Sequence, residues 1–169
     1  MSAGYGEKVV HDIAPLHENL SALSFLLGTW RGRGEGDYPT IEPFSYTEES
    51  RFWHAGKPFM FYAQRTWSQR DGAPMHAESG FLRLGPQGAV ELVLAHTFGI
   101  AEVSEGTVAG SSLELKSRAL IPTSSATQVE ALRRSLEVSE GLLRYGIDMA
   151  VSGLELQRHL TAELRLLEP

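Results

Sequence analysis

Histidine is the residue type in this sequence that could carry out chemistry, because the chain has six histidines and no cysteine. The lack of cysteine excludes a thiolate nucleophile, a disulfide framework, a sulfur-ligated zinc site and an iron–sulfur cluster. No two histidines have the His-Glu-x-x-His spacing that places two metal ligands on one helical face. Metal chemistry would therefore need histidine or carboxylate groups from distant parts of the sequence, or a bound cofactor.

Other motifs that indicate catalysis or cofactor binding are absent from the sequence or lie between the wrong kinds of secondary structure. The sequence has no Gly-x-Ser-x-Gly elbow, so a serine hydrolase has no support. A glycine cluster formed by Gly28, Gly32, Gly34 and Gly36 follows a helix-like stretch and enters a strand, the reverse of a dinucleotide-binding loop. The 21 acidic residues outnumber the 15 lysines and arginines, which form no basic block. We therefore expect no nucleic-acid partner.

The 169-residue chain, 42% hydrophobic, predicts one globular domain with little room for a second core. Its first eight residues have neither the basic start nor the apolar run of a secretory signal. The longest apolar stretches, such as residues 92–95, are far shorter than the roughly 18 residues of a membrane span. We expect a cytoplasmic protein that does not cross a membrane.

The elements that must position the histidines are mostly β-strands, since glycine and proline recur at short intervals. Residues 12–27 are the exception, because apolar side chains three and four apart predict a short helix with Pro15 in its first turn. A strand begins at Gly28. Nine more strands are predicted at residues 44–53, 59–67, 77–84, 90–96, 100–108, 113–120, 129–138, 142–151 and 160–167.

About ten strands joined by tight turns predict an all-β fold, an antiparallel up-and-down β-barrel of the lipocalin or fatty-acid-binding type with a short N-terminal helical segment. Closure hides both sheet edges and leaves an interior that can hold one small ligand. Residues 128–137 also suit a helix, because Val129, Leu132 and Leu136 have helical spacing.

The run Gly28-Thr29-Trp30-Arg31-Gly32-Arg33-Gly34 has a structural interpretation of its own. Glycine inside a strand marks a sharp bend or a close approach of another backbone. Trp30 would then plug one end of the barrel. Taken alone, Gly28, Trp30, Gly32 and Gly34 indicate a barrel rather than a particular ligand.

The same run, followed by Gly36 and Tyr38-Pro39-Thr40-Ile41, resembles the Gly-x-Trp-x-Gly-x-Gly signature and its extension in the nitrobindins. A second block, Tyr145-Gly146-Ile147-Asp148-Met149-Ala150 followed by Leu156-Gln157-Arg158-His159-Leu160, is similar to the closing strands and the Leu-x-x-His-Leu segment of that family. The resemblance covers roughly residues 20–166. It divides the chain into an N-terminal arm, 1–19, and a haem-binding β-barrel domain, 20–169.

The resemblance implies a barrel that holds one haem b per chain, with His159 as the proximal iron ligand. The ferric form would bind nitric oxide and convert peroxynitrite to nitrate, the activity of a peroxynitrite isomerase. Thr40 matches a position that touches haem, and a basic residue near Arg133 would contact a propionate. A homodimer is compatible with the resemblance. The remaining cavity-lining residues that it implies are Met75, His76, His96 and Met149.

Strand periodicity conflicts with an inward His159. Leu160, Ala162 and Leu164 share one face of the last strand, whereas His159 falls on the other. An inward His159 therefore predicts an irregular segment before that strand, where Gly153 and residues 154–158 interrupt the alternation.

Two other functions fit parts of the sequence. A barrel that carries an apolar small molecule without catalysis fits the Gly-x-Trp strand equally well, but it has no need of the Leu-x-x-His-Leu block. A structural barrel with a filled core would not need the glycine-rich first strand. The haem protein is the favoured hypothesis, and the carrier is its alternative.

Overall fold

A computed structural model describes residues 14–167 as a closed antiparallel barrel of ten strands. Each strand pairs with the next along the chain, and the first pairs with the last, so the sheet has no free edge. The predicted fold class is therefore confirmed. The strands are β1 (Gly28–Tyr38), β2 (Ile41–His54), β3 (Met60–Ser68), β4 (Pro74–Leu84), β5 (Ala89–His96), β6 (Ile100–Ala109), β7 (Ser112–Pro122), β8 (Val129–Ser139), β9 (Leu142–Val151) and β10 (Gln157–Leu166).

The helical interpretation of residues 128–137 is wrong, because this segment is most of β8. The N-terminal helix is real but shorter than predicted, a 3₁₀ helix at Glu18–Leu26. Pro15 lies before it rather than in its first turn, and residues 12 and 13 lie outside the described residues. A second 3₁₀ segment, Pro86–Gly88, joins β4 to β5.

The N-terminal helix closes one end of the barrel. Leu20, Leu23 and Leu26 are fully buried, and their spacing of three residues places them on one side of a 3₁₀ helix. Trp30 is 1% exposed and donates a hydrogen bond from Nε1 to the Leu26 carbonyl oxygen over 2.7 Å. Trp30 thus plugs this end together with the helix. Within residues 14–167, no helix is long and apolar enough to span a membrane.

The glycines of β1 make room for neighbouring groups inside the barrel. A Cβ on Gly32 would lie 2.0 Å from the backbone oxygen of Glu163, so β1 and β10 approach closely there. A Cβ on Gly34 would lie 2.2 Å from the Tyr46 ring, and one on Gly36 would lie 2.2 Å from the Phe44 ring. The alternating glycines therefore let two aromatic rings of β2 lie across β1.

Substituting Gly34 with alanine is expected to destabilise the protein by about 2–3 kcal/mol, because the Tyr46 ring is buried and cannot move aside without repacking the core. Gly85→Ala is a matched control, since its new Cβ would meet only the mobile end of the Glu91 side chain. Urea unfolding of both variants measures the difference. Equal, small losses of stability would contradict the packing role of Gly34.

Candidate functional site

A cavity of about 240 Å³ occupies the barrel at the end opposite the N-terminal helix. Five of the sequence-predicted site residues line it, whereas Thr40 and Arg133 do not. A filled core is therefore inconsistent with the structure. The five are Met75, His76, His96, Met149 and His159, and the other lining residues are Phe44, Tyr46, Gln64, Thr66, Glu78, Phe98, Leu132, Arg134, Tyr145, Ile147 and Leu160.

A larger depression of about 740 Å³ crosses the outside of β1 and β10. It is broad and open, and two of its arginines, Arg31 and Arg144, are paired with Glu49 and Glu163. A ligand there would compete with water and with existing ion pairs. The interior cavity, which is more enclosed and more apolar, is the candidate functional site.

A β-bulge places His159 in the cavity. In the pairing of β10 with β9, Arg158 lies opposite Asp148 and Leu160 lies opposite Ile147, so His159 is an extra residue without a partner. The bulge lets His159 and Leu160, which are adjacent in sequence, both line the cavity. The irregularity thus lies inside β10, and the prediction that it would lie before the strand is wrong.

The environment of His159 favours a neutral imidazole with one nitrogen free. Nδ1 lies 3.2 Å from the backbone oxygen of Asp37, which can only accept, so Nδ1 carries the proton and Nε2 keeps its lone pair. Burial lowers the pKa of His159, although the contacts with Asp37 oppose this shift. The ring packs edge-on against Tyr38 and Phe44. A histidine anchored in this way can ligate a metal through Nε2.

The two remaining predicted contacts lie outside the cavity. Thr40 is exposed in the turn between β1 and β2, two residues after Tyr38. Arg133 lies on the outer face, where its Nε donates to Asp148 over 2.6 Å. Strand alternation explains this position, because the neighbouring Leu132 faces inward. Arg134, not Arg133, is the arginine of β8 that also faces inward.

Arg134 holds two buried carboxylates together in the barrel interior. Its Nη1 and Nη2 lie 3.0 and 3.1 Å from the two carboxylate oxygens of Glu78. Its Nε and Nη2 lie 3.2 and 2.9 Å from those of Glu102. The side chains of Glu78 and Glu102 are 2% and 0% exposed, so both anions depend on protein partners rather than on water.

His96 lies between the same two carboxylates. Its Nε2 is 2.9 Å from Glu102 and its Nδ1 is 3.0 Å from Glu78. The Glu78 contact is close but lacks hydrogen-bond geometry, and Nδ1 has no hydrogen-bond partner. Burial would lower the pKa of His96, but the two carboxylates outweigh it and raise the pKa to about 8.

The carboxylates of this cluster stay ionised. Burial would raise the pKa of Glu78, but Arg134 and the two histidines hold it well below the usual value. Burial likewise opposes ionisation of Glu102, whose pKa Arg134 and His96 lower to about 2. We call Glu78, His96, Glu102 and Arg134 the buried ion cluster.

Another buried carboxyl, that of Glu48, lies outside this cluster and has only neutral polar partners among its hydrogen bonds. Ser50 donates to one oxygen over 2.6 Å, and the Tyr145 hydroxyl donates to the other over 2.5 Å. Burial raises the pKa of Glu48, and the hydrogen bonds from its neutral partners oppose this shift only in part. No motif in the sequence singled out the inward polar residues Glu48, Glu78, Glu102 and Arg134. The available signal was strand alternation, since each lies at an inward position of its strand.

A closed barrel with one enclosed apolar cavity and an anchored histidine at its wall defines a small-ligand-binding β-barrel protein. Residues 19–165 match the family described as the THAP4-like, heme-binding beta-barrel domain. The chain therefore belongs to this haem-binding family, the nitrobindins, and the predicted resemblance is confirmed.

The curated relatives agree with this assignment over most of the chain. "Peroxynitrite isomerase 2" of Mycobacterium marinum is 51% identical over 156 residues, which cover 90% of this chain and 97% of the relative. A peroxynitrite isomerase of Arabidopsis thaliana is 47% identical over 89% of this chain and 90% of its own. The crystal structure of Rv2717c from M. tuberculosis has a TM-score of 0.85 and 45% identity, and covers 91% of this chain and all of that one.

The residues of the cavity fit a haem group. Most of the cavity surface is apolar, and His159 offers the free Nε2 that an iron ligand requires. The volume of about 240 Å³ lies just below the roughly 300–1,000 Å³ typical of small-molecule pockets. A large flat ligand would therefore be enclosed only in part, with its polar edge at the open mouth.

Proposed function

We propose that this protein binds one haem b per chain through His159 and isomerises peroxynitrite to nitrate, and that the same haem binds nitric oxide. The observation that carries the proposal is the His159 bulge, which presents a neutral imidazole with a free Nε2 to an apolar cavity. Membership of a haem-binding family and the names of the curated relatives support it.

Each group around the cavity has a defined task in this proposal. His159 would hold the haem iron through Nε2, because the Asp37 carbonyl accepts the proton of Nδ1 and orients the ring. Met75, Met149 and Phe44 would pack against the apolar surface of the haem and limit the access of water. Ferric haem would supply the chemistry of an isomerisation without net electron transfer.

The periphery of the haem would meet polar groups at the mouth. Thr40 belongs to the β1–β2 turn beside Tyr38, whose ring lies 5.5 Å from that of His159. Arg133 is half exposed and would reach a propionate only by exchanging its Asp148 partner for it. Both residues remain proposed contacts.

The opposite side of the haem would be free of a protein ligand. The two nitrogens of His96 are directed at Glu78 and Glu102 in the cavity wall, so we do not propose His96 as a second haem ligand. His76, which is partly exposed at the cavity wall, is proposed as the donor to a bound anion. A homodimer and a cytoplasmic location remain predictions from the sequence.

Peroxynitrite decay in a stopped-flow instrument tests the proposed activity. The ferric haem-loaded protein is expected to accelerate the decay in proportion to its concentration and to raise the yield of nitrate. The haem-free protein and an equal amount of free hemin are the controls. If hemin titration gives no saturable Soret band, the proposal fails and the apolar-ligand carrier becomes the better function.

A further inference from the structure

Three potential metal-ligand atoms converge in the wall of the cavity. One ligand atom from each of His76, Glu78 and His96 lies within 4.8 Å of the other two, and Glu78 Oε2 faces both His76 Nε2 and His96 Nδ1. The oxygen lies 3.4 Å from the His76 nitrogen and 3.0 Å from the His96 nitrogen. Bonds of about 2.1 Å to one ion place neighbouring ligand atoms about 3.0–3.4 Å apart at octahedral or tetrahedral angles. We propose that these three residues form a second metal site, which binds a divalent first-row transition ion.

The unpartnered nitrogen of His96 is the second observation that points to an ion. The His96 side chain is 3% exposed, and its Nδ1 is a buried polar atom without a hydrogen-bond partner. Such atoms are rare because an unmet hydrogen bond in the interior is costly. Nε2 is held by Glu102 at 2.9 Å. A carboxylate on one ring nitrogen and a metal on the other is the usual arrangement around a metal-binding histidine.

Neighbouring polar groups also orient the other two proposed ligands, His76 and Glu78. The Nδ1 of His76 lies 3.5 Å from the Thr97 hydroxyl, which leaves Nε2 directed at Glu78. Oε1 of Glu78 accepts hydrogen bonds from Tyr62 and Arg134. Oε2 accepts one from Arg134 over 3.1 Å and retains a second lone pair for an ion.

The charge of the surroundings favours a cation. Glu78 and Glu102 carry two negative charges and Arg134 carries one positive charge, so the cluster has a net charge of −1 once an ion displaces the proton that the raised pKa of His96 otherwise keeps on its ring at neutral pH. A divalent ion would reverse this to +1. A small anion on an open coordination position would restore neutrality, and His76, Glu78 and His96 all line the cavity from which it would enter.

Two imidazoles and one carboxylate suit iron(II), zinc and other first-row divalent ions, and leave coordination positions open. The site belongs to β4 and β5, whereas His159 belongs to β10. The inference uses no haem ligand, so it goes beyond the proposed function and does not depend on it.

Zinc serves as the probe because it is redox-inert. The purified protein is treated with EDTA, dialysed against a limiting series of ZnCl₂ concentrations, and analysed for zinc and iron by mass spectrometry. We expect about one zinc per chain at saturation. Iron is counted in the same samples, so a failure to bind zinc is distinguished from a failure to bind haem.

Two variants remove one nitrogen ligand each. His76→Ala deletes the partly exposed ligand, and His96→Gln keeps an amide donor for Glu102 but has no Nδ1. Each variant is expected to raise the zinc dissociation constant by about 10-fold to 100-fold. His54→Ala, at the end of β2 near the plugged end, and His159→Ala are expected to keep wild-type zinc binding.

Thermal unfolding checks that each variant is folded before its zinc content is compared. The proposal is overturned if the wild-type protein takes up no zinc, if both site variants bind zinc as tightly as the wild type, or if the zinc is lost with His159 or His54.

Discussion

Substitution of His159 with alanine is expected to weaken hemin binding at least about 100-fold and to broaden and weaken the Soret band. The reason is that loss of an orienting partner already costs about 10–100-fold in metal affinity, and loss of the ligand itself removes the iron–nitrogen bond. The apolar wall would remain, so hemin would still associate weakly and without a fixed axial ligand. Spectroscopic titration of both proteins with hemin measures the difference.

Two further measurements separate ligation from general damage. His54→Ala removes a histidine at the plugged end of the barrel and is expected to bind hemin normally. Exogenous imidazole is expected to restore the sharp Soret band of the His159 variant, because it can occupy the space of the missing ring. A band that is unchanged in the His159 variant would contradict the assignment and make His76 the next residue to test.

Substitution of Arg134 with methionine is expected to cost about 3–5 kcal/mol of stability at neutral pH. Methionine replaces the apolar stem of arginine and carries no charge, so the change leaves Glu78 and Glu102 buried together without the guanidinium that contacts all four of their oxygens. Removal of one partner from a buried ion pair is costly because the remaining charge stays desolvated. Urea unfolding in the presence of EDTA measures the loss.

The stability that is lost on substitution of Arg134 should depend on pH in a defined direction. In the wild-type protein the folded-state pKa of Glu102 is about 2, below its unfolded value of 4.5, so its contribution is present above pH 4.5 and is lost as the pH falls toward 2. Without Arg134, the pKa of both carboxyls would rise, because burial still raises it and the strongest opposing group is gone, so the variant would lose less stability than the wild type as the pH falls. The difference between the two proteins should therefore shrink between pH 7 and pH 4.

Arg133→Met is the matched control for Arg134. It removes the neighbouring arginine, which is 45% exposed and whose partner Asp148 is also bound by Arg158 over 2.7 Å. Asp148 is buried but keeps Arg158 as a partner, and the contribution of a half-exposed arginine is about 1 kcal/mol, so a smaller loss than that of the Arg134 variant is expected. Similar losses of stability for the two variants would show that Arg134 and the buried ion cluster do not stabilise the protein as expected.

The fold was predictable because its signals are local. Period-two alternation and short turns at segments such as Gly85-Pro86-Gln87-Gly88 located the ten strands, and closure followed from the need to hide two sheet edges. The extent of the N-terminal helix was not predictable, because leucines three residues apart suit both an α-helix and a 3₁₀ helix over a few turns.

The site was predictable only in part, because two of its features depend on pairing between strands. The bulge at His159 is a shift in the register of β10 against β9, so it cannot be recognised from the sequence of β10 alone. The inward Arg134 follows from alternation with Leu132, but a buried arginine is expected only once carboxylates on β4 and β6 are known to face it. Alternation alone gives no reason to bury Glu78 and Glu102.

Pairing of β1 with β10 also fixes where the two ends of the described chain emerge. The Leu167 amide donates to the Thr29 carbonyl over 2.9 Å, so the ends of β1 and β10 lie side by side at the end that the helix plugs. A tether or a fused domain attached at residue 14 or at residue 167 would thus begin on the side of the barrel away from the cavity mouth. A barrel immobilised through either residue, or circularly permuted by joining them, would leave the entry of a ligand unobstructed.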